Sequence, residues 1–314
     1  MSRIKRLFLS VLLVFIFHTA NAQQLHFSKV EKGDSYQFNY QWLDHQQQAQ
    51  SIAFSITKSS LFNKFRNFKE YKPELASKYI SRKVVRYLNK NPIDGVRISY
   101  NSQTGSIVAK GTDSASLQTA EKKVAELNKE FTDAYMKKHW YHTFTTYQQL
   151  QAIKPDHATF AALSAEDMKP LKPLILEKVS VKNIRQATDY VLAFVQSIPY
   201  SPLESRVDSS GAGFNPPLKL LWENQGDCDS KVTLAAAILR TLMPRIKMVL
   251  VFIDNHALIG IDAQAQGNET TITIDGTTYL LGEPTGPAPL VLGQLDQASE
   301  LAIAQGQYSA EVFQ

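Results

Sequence analysis

The chain has 314 residues, of which 44% are hydrophobic and 20% are charged, so it is long and apolar enough to bury two hydrophobic cores. Its single cysteine excludes an internal disulfide and leaves a free thiol. The formal charge of +5 includes three cations within the first six residues, and without them it falls to about +2. Basic patches with interleaved aromatic residues are lacking in the sequence, which argues against nucleic acid as a partner.

The first 22 residues have the pattern of a secretory signal peptide. Arg3, Lys5 and Arg6 precede an apolar run over residues 7–17, and Ala20-Asn-Ala22 provides small residues for cleavage after Ala22. The apolar run is too short for a comfortable membrane span, so we expect no stable span after cleavage. The sequence therefore predicts a periplasmic or secreted protein with a Gram-negative style of leader.

Residues 23–140 predict an N-terminal α+β domain. Alternating apolar residues predict strands up to about residue 56, and alternation over residues 96–109 predicts a hairpin. Helices are predicted from Pro73 onwards and over residues 114–138. The first of these helices is predicted to face inward through Leu75, Tyr79, Val84 and Leu88. No residue of this domain points to a particular chemistry.

An ordered linker is predicted over residues 141–179, because apolar residues are spread through it. A second domain is predicted over residues 180–314. It begins with a helix that ends in Val195-Gln-Ser-Ile-Pro-Tyr200. The following segment, residues 201–217, is rich in Ser, Gly and Pro. This composition predicts a loop, which we expect to line or cover a cleft.

The only cysteine, Cys228, lies where a loop becomes a helix. Apolar residues then recur at helical spacing until Pro244 ends the run. A thiol in the first turn of a helix is close to unpaired N–H groups and the positive end of the helix dipole, and both favour the thiolate. A lone cysteine is more often a small core residue, but the flanking Asp227 and Asp229 are out of place in an apolar core.

Three predicted strands follow the cysteine helix. An unbroken apolar segment, residues 248–253, leads through a short turn to a second strand that begins at His256. A hairpin turning at Asp275-Gly276 then ends at Glu283. A histidine at the start of a strand can reach a neighbouring helix N-terminus, and a carboxylate at the end of the next strand can orient its imidazole.

These three pieces resemble a known family. Gly226-Asp-Cys-Asp-Ser-Lys231, Asn255-His-Ala257 and Glu283-Pro-Thr285 occur in the order typical of the transglutaminase-like superfamily of the papain fold, and the bacterial periplasmic cysteine peptidases within it are the most similar. The resemblance covers roughly residues 180–285. It implies an α+β protein in which a transglutaminase-like core, with its nucleophile helix packed on an antiparallel sheet, follows a smaller α+β domain.

The resemblance also implies site residues. Cys228 takes the role of nucleophile, His256 that of base and Glu283 that of the acidic third member. The family usually has Asp where this chain has Glu283, so Asp275 and Asp262 are alternatives for the third role.

Two further residues are implied by the element that precedes the nucleophile in similar proteins. Gln196 is expected to be a second donor to the oxyanion, beside the backbone N–H of Cys228, and Tyr200 is expected to contact substrate. An ordinary polar position near a helix end is the competing interpretation of Gln196.

The expected reaction is acyl transfer through a thioester acyl-enzyme. Water as acceptor gives a cysteine peptidase or amidase acting on a protein or peptide of the cell envelope, and an amine gives a transglutaminase. A catalytically silent papain-like fold that binds an envelope protein is the alternative. No cofactor or metal is expected. The competing expectation is calcium beside Asp227 and Asp229, because some similar bacterial proteases depend on it.

Overall fold

The computed structural model describes residues 23–204 and 213–313. The predicted signal peptide and the middle of the predicted loop 201–217 lie outside the described residues. Within the described ranges, the strands are β1 (Gln24–Lys32), β2 (Ser35–Leu43), β3 (Ala49–Thr57), β4 (Val96–Asn101), β5 (Ser106–Gly111), β6 (Tyr141–Thr145), β7 (Gln151–Pro155), β8 (Met248–Ile253), β9 (His256–Ile261), β10 (Thr271–Ile274), β11 (Thr277–Gly282) and β12 (Ser309–Phe313). The helices are α1 (Lys58–Asn63), α2 (Pro73–Lys90), α3 (Ser114–Lys138), α4 (His157–Ser164), α5 (Leu171–Leu176), α6 (Ile184–Ser197), α7 (Pro217–Glu223), α8 (Cys228–Leu242) and α9 (Gln297–Ala304).

The first sheet is the antiparallel meander β1-β2-β3. Its inward side chains pack directly on α6: the ring centroids of Trp42 and Tyr190 are 5.6 Å apart, and those of Tyr40 and Phe194 are 5.0 Å apart. These aromatic residues belong to the same buried cluster as the apolar face of α8. The meander is therefore a layer of the main core.

A separate hydrophobic core lies between α2, α3 and the hairpin β4–β5. It includes Ile80, Val84, Leu88, Leu127 and Phe131. The predicted N-terminal domain, residues 23–140, thus divides physically: the meander joins the main core, and residues 73–138 form a unit with a core of their own.

The prediction of the inward face of α2 is wrong in the first half of the helix, where the buried residues lie one position later in the sequence than predicted. Leu75 and Tyr79 are 59% and 45% exposed, whereas Ala76 and Ile80 are buried. Both pairs of residues recur at helical spacing and are apolar enough to face a core. Only the position of α3 decides which of the two pairs is covered.

The segment predicted as an ordered linker, residues 141–179, contains the hairpin β6–β7 and the helices α4 and α5. The aromatic ring of Phe160 in α4 stacks with Trp140, Phe65 and Phe214. The segment packs against α8 and is part of the main body rather than a connection between two bodies.

The second sheet has the strand order β10-β11-β9-β8-β12, with every neighbouring pair antiparallel. Helix α6 lies between the two sheets, since Phe194 contacts the meander while Leu192 lies against Gly282 of β11. The other face of the second sheet is covered by Leu295 and by Ile303 of α9. Strand β12 and helix α9 were not predicted from the sequence.

The fold is mixed, with helix over 38% and strand over 28% of the described residues and with a curled antiparallel sheet. Helix α8, which begins with Cys228, packs on this sheet, next to β9. A search of the described helices finds none that is both long and apolar enough to cross a membrane.

Candidate active site

The local sequence fixes where α8 begins. Asn224 adopts a left-handed conformation and ends α7, and Asp227 accepts a hydrogen bond from the Ser230 N–H at 2.9 Å as the N-cap of α8. Between them, a Cβ on Gly226 would lie 2.6 Å from Leu220 Cδ1, so this close packing requires glycine. Cys228 is therefore the first residue of α8.

Tyr200 lies beside this turn. The backbone of Ser201 donates to Gly226 O at 3.1 Å, and the Gly226 N–H donates to Pro199 O at 3.3 Å. The Tyr200 side chain is 54% exposed, and its pKa is raised by partial burial and by the nearby groups of Cys228 and Asp227. The structure thus brings Tyr200 to the solvent side of the thiol.

His256 and Glu283 meet at one end of the second sheet. His256 is the first residue of β9, Glu283 follows β11, and these strands are neighbours. The His256 Nε2 lies 2.8 Å from Glu283 Oε1, whereas the alternatives Asp262 and Asp275 do not contact the imidazole. Asp275 instead forms the hairpin turn with Gly276, and both residues have the positive φ of a type I′ turn.

The contact with Glu283 determines which imidazole nitrogen is available. A carboxylate accepts a hydrogen bond, so Nε2 of His256 carries the proton, and in the neutral ring Nδ1 is then the free acceptor. The second oxygen of Glu283 accepts from the Asp296 N–H at 3.1 Å, which holds the carboxylate in place. A cleft of about 410 Å³ opens beside these groups, so the imidazole is accessible from solvent.

The Cys228 sulfur points toward the same end of the sheet. Its acceptors are Asn255 O at 3.8 Å and Asp229 Oδ1 at 3.7 Å, and Asn255 is the residue before His256. The sulfur is thus next to the histidine turn, although neither of its hydrogen bonds goes to the imidazole. Burial, followed by the charges of Asp229 and Asp227, raises the pKa of the thiol. In this state the electrostatics favour the neutral thiol rather than the thiolate that a helix N-terminus alone would favour.

The two aspartates that flank the thiol have partners within the protein. Asp227 caps α8, and its pKa is raised to about 7 by burial and by the charge of Asp229. Burial also disfavours a charged Asp229, but hydrogen bonding and charge from His157, helped by the charge of Lys154, prevail and lower its pKa. The His157 Nε2 lies 3.5 Å from Asp229 Oδ2. Asp227 thus caps α8, and Asp229 pairs with His157.

Lys154 and Glu311 form an ion pair behind this group. The Lys154 Nζ lies 2.8 Å from Glu311 Oε1 and 3.0 Å from the centroid of the Phe252 ring. Both side chains are largely withdrawn from solvent. Sequence reasoning did not find this pair or His157, because their partners are distant in the chain and no local motif joins them.

Gln196 contacts the site, but not in the way predicted. Its Nε2 donates to Glu283 O and to Leu290 O, both at 2.8 Å. An amide nitrogen has two hydrogens, and both are used, so Gln196 holds the Glu283 backbone and has no hydrogen left for an oxyanion. The expected role as oxyanion donor is therefore replaced by a positioning role.

Lys231 holds the next part of the same segment. It is fully buried in the first turn of α8, and its Nζ donates to Thr285 O. Burial lowers its pKa to about 7, although the nearby Asp227 opposes this shift. Sequence reasoning included Lys231 only as a member of the motif, because a lysine gives no local sign that it will be buried.

One set of described residues has the geometry to hold a metal ion. Ligand atoms of His256, Glu283 and Asp296 all lie within 4.8 Å of one another. Asp296 already caps α9 by accepting from the N–H groups of Ala298 and Ser299. The set shares two members with the histidine–glutamate pair, so a bound metal and a catalytic pair would exclude each other.

Comparison with models of protein families finds no match for the chain. Comparisons with curated proteins and with solved structures also find no significant match.

Proposed function

We propose that this protein is a transglutaminase-like thiol enzyme, a cysteine peptidase or amidase, that acts through Cys228, His256 and Glu283. The observation that carries the proposal is the 2.8 Å contact between His256 Nε2 and Glu283 Oε1, which leaves Nδ1 as the free nitrogen. The thiol at the start of α8 lies 3.8 Å from the carbonyl oxygen of Asn255, immediately before that histidine. The transglutaminase-like motifs in the sequence supply the chemical precedent.

The reaction begins with the neutral pair. Nδ1 of His256 takes the proton of Cys228 Sγ as the sulfur attacks the substrate carbonyl carbon, and Glu283 stabilises the imidazolium that forms. The backbone N–H of Cys228, in the first turn of α8, donates to the oxyanion. Tyr200, exposed beside the thiol, is the remaining candidate for a second contact, since the amide hydrogens of Gln196 are used.

The tetrahedral intermediate then collapses and the amine leaves with the proton of the imidazolium, which produces a thioester on Cys228. Water, deprotonated by His256, releases the acid and regenerates the thiol. Transfer to an amine instead would make the protein a transglutaminase. The signal peptide predicted from the sequence supports a protein or peptide substrate in the cell envelope or outside the cell. None of these steps requires a cofactor.

A catalytically silent binding module is the second candidate. Two observations favour it: the thiol pKa is raised by burial and by its acidic neighbours, and the sulfur hydrogen-bonds Asp229 and Asn255 rather than the imidazole. An active enzyme needs the imidazole to reach the sulfur when substrate binds.

The rate of Cys228 alkylation by iodoacetamide, measured from acidic to alkaline pH, distinguishes the two candidates. In a working pair the imidazole takes the proton of the thiol, so we expect the alkylation rate to contain a component that depends on His256. The His256→Ala variant should lose this component and react only as the buried thiol ionises. Labelling should be absent in Cys228→Ser.

The Glu283→Gln variant refines this test because it keeps the shape of the side chain and removes its charge. We expect it to reduce the histidine-dependent component about tenfold, since it replaces a charge-assisted hydrogen bond with a neutral one. Glu269→Gln is the matched control, because Glu269 is bound to Arg185 at 2.6 Å, outside the site. Identical profiles for wild type and His256→Ala would contradict the enzyme and support the silent module.

A further inference from the structure

A large cavity in the described part of the protein is formed by residues outside the proposed active site. Its volume is about 740 Å³, within the usual range for sites that bind small organic molecules. It lies between three parts of the chain: the segment from α1 to the start of α2, the end of α3 together with β6, and helix α7. Neither Cys228, His256 nor Glu283 lines it.

Aromatic packing holds the walls of this cavity in place. Phe68 lies in the segment between α1 and α2 and stacks with Tyr141, Phe160 and Phe214 at centroid distances of 5.1–5.6 Å. The hydroxyl of Tyr141 donates to Lys69 O at 2.7 Å. The described walls of the cavity are therefore held in place without a ligand.

The interior of the cavity is apolar on two sides. Trp222 of α7 stacks edge-on with Phe62 of α1 at 5.0 Å, and Leu75 of α2, 59% exposed, lies at the same cavity. Such a surface favours a ligand with an aromatic or acyl body, because burial of apolar area provides most of the binding free energy.

The charges around the cavity are unbalanced. Its lining includes four cationic residues and two acidic ones. Both acidic residues are already paired: Glu70 lies 3.7 Å from Lys72, and Glu223 lies 3.6 Å from Lys219. The side chains of Arg66 and Lys69 have no carboxylate partner among the described residues, and these two cations account for the excess positive charge of the described lining.

We propose that this cavity binds an apolar organic anion, a molecule with an aromatic or acyl body that carries one acidic group. The apolar walls take the body, and Arg66 and Lys69 take the acid. The proposal is independent of the proposed catalytic function, because the cavity shares no residue with the cysteine, histidine and glutamate.

A pair of fluorescent dyes tests the proposal on the purified protein. Anilinonaphthalene sulfonate is an aromatic anion, and N-phenylnaphthylamine has the same aromatic body without the charge. We expect the sulfonate to bind saturably with one site per chain and at least about fivefold more tightly than the neutral dye, as one charge-assisted contact provides.

Three variants locate the site. Arg66→Glu/Lys69→Glu should weaken sulfonate binding about tenfold or more and leave the neutral dye within about twofold of wild type. Leu75→Asp, at an exposed position of the wall, should weaken both dyes. The control, Lys178→Glu/Lys182→Glu, makes the same charge change at residues that do not line the cavity, and should bind both dyes as wild type does. Melting temperatures confirm that each variant is folded.

The proposal fails if the sulfonate does not bind saturably, if it binds no better than the neutral dye, or if the remote control weakens it as much as the Arg66 and Lys69 reversal does. These outcomes do not bear on Cys228 alkylation, so failure of the cavity proposal and failure of the catalytic proposal are separately visible.

Discussion

At the residue scale, several ionisable side chains surround Cys228 in the proposed active site. Asp227 and Lys231 are buried, Asp229 is partly exposed, and all three lie in the first turn of α8 or at its cap. Withdrawal from solvent opposes the charged form of each group, and each has a neighbour that favours that form. The two aspartates, together with burial, raise the pKa of Cys228.

Asp227 makes stability depend on pH in a direction opposite to that of an ordinary aspartate. Its pKa in the folded protein is about 7, above the value of 3.8 for a free side chain, so the folded state holds this proton more tightly. Between these values the folded state binds more protons, and the contribution of Asp227 to stability falls as pH rises. Asp227→Asn keeps a capping side chain but cannot ionise. We expect the free energy of unfolding of the variant, relative to that of wild type, to increase by at least about 1 kcal/mol as the pH rises from 5 to 8, measured by denaturant unfolding.

A constant difference between the two proteins across that pH range would show that Asp227 is ionised normally in the fold. Asp34→Asn serves as the control, because Asp34 lies in the exposed turn between β1 and β2 and should show no such trend.

At the element scale, two side chains form hydrogen bonds that connect the segment after β11 to the central helices. Gln196 of α6 bonds Glu283 O, and Lys231 of α8 bonds Thr285 O. Gly286 packs against Gln196 so closely that a Cβ there would lie 2.4 Å from Gln196 O. The carboxylate of Glu283 is therefore positioned by α6 and α8, which are themselves in the core.

Gln196→Leu should be strongly destabilising for this reason. The substitution leaves a buried carbonyl group, Glu283 O, and a partly buried one, Leu290 O, without the amide that bonds them. An unsatisfied buried acceptor costs about 1–3 kcal/mol, so we expect a loss of about 2–4 kcal/mol in the free energy of unfolding. Gln186→Leu is the matched control: it makes the same substitution at an exposed position of the same helix and should cost less than about 0.5 kcal/mol. An equal effect of the two substitutions would show that the amide contacts do not stabilise the segment.

Much of this arrangement could be predicted from the sequence, for physical reasons. The strands β8 to β11 and the start of α8 carry local signals, namely apolar runs, the Asp275-Gly276 turn and the Asp227 cap, and their places along the chain were predicted. The inward face of α2 and the strand β12 depend on what packs against them, which local periodicity does not encode. The same holds for Gln196, whose side chain looks equally suited to bonding an oxyanion or a backbone carbonyl until its partners are known.

At the scale of the whole molecule, an ion pair joins segments that are far apart in the chain. Lys154 of β7 and Glu311 of β12 lie 2.8 Å apart, and His142 of β6 lies 3.1 Å from the same carboxylate oxygen. The hairpin β6–β7, the edge of the second sheet and the Asp229–His157 contact beside the thiol thus belong to one electrostatic group.

Removal of one member of the Lys154–Glu311 pair should cost far more than removal of both. Glu311→Gln leaves the Lys154 ammonium buried without its counter-charge, and we expect a loss of about 3 kcal/mol. Lys154→Met/Glu311→Gln should recover much of that loss, which a double-mutant cycle of unfolding free energies measures. Glu31→Gln breaks the more exposed pair with Lys58 and should change the free energy of unfolding far less, because solvent screens that pair. Additive effects of the two buried substitutions would contradict the coupling.

The unit of residues 73–138 leaves the main body and returns to it at nearly the same place. The carbonyl oxygen of Lys69, just before the unit, accepts a hydrogen bond from Tyr141, just after it, at 2.7 Å. The main core closes without contributions from this unit, as it would for a domain inserted into a surface turn. The two bodies can accordingly differ in stability, and the cavity proposed to bind an anion lies at the junction between them. A ligand bound at this junction would restrict the angle between the inserted unit and the body that carries the thiol.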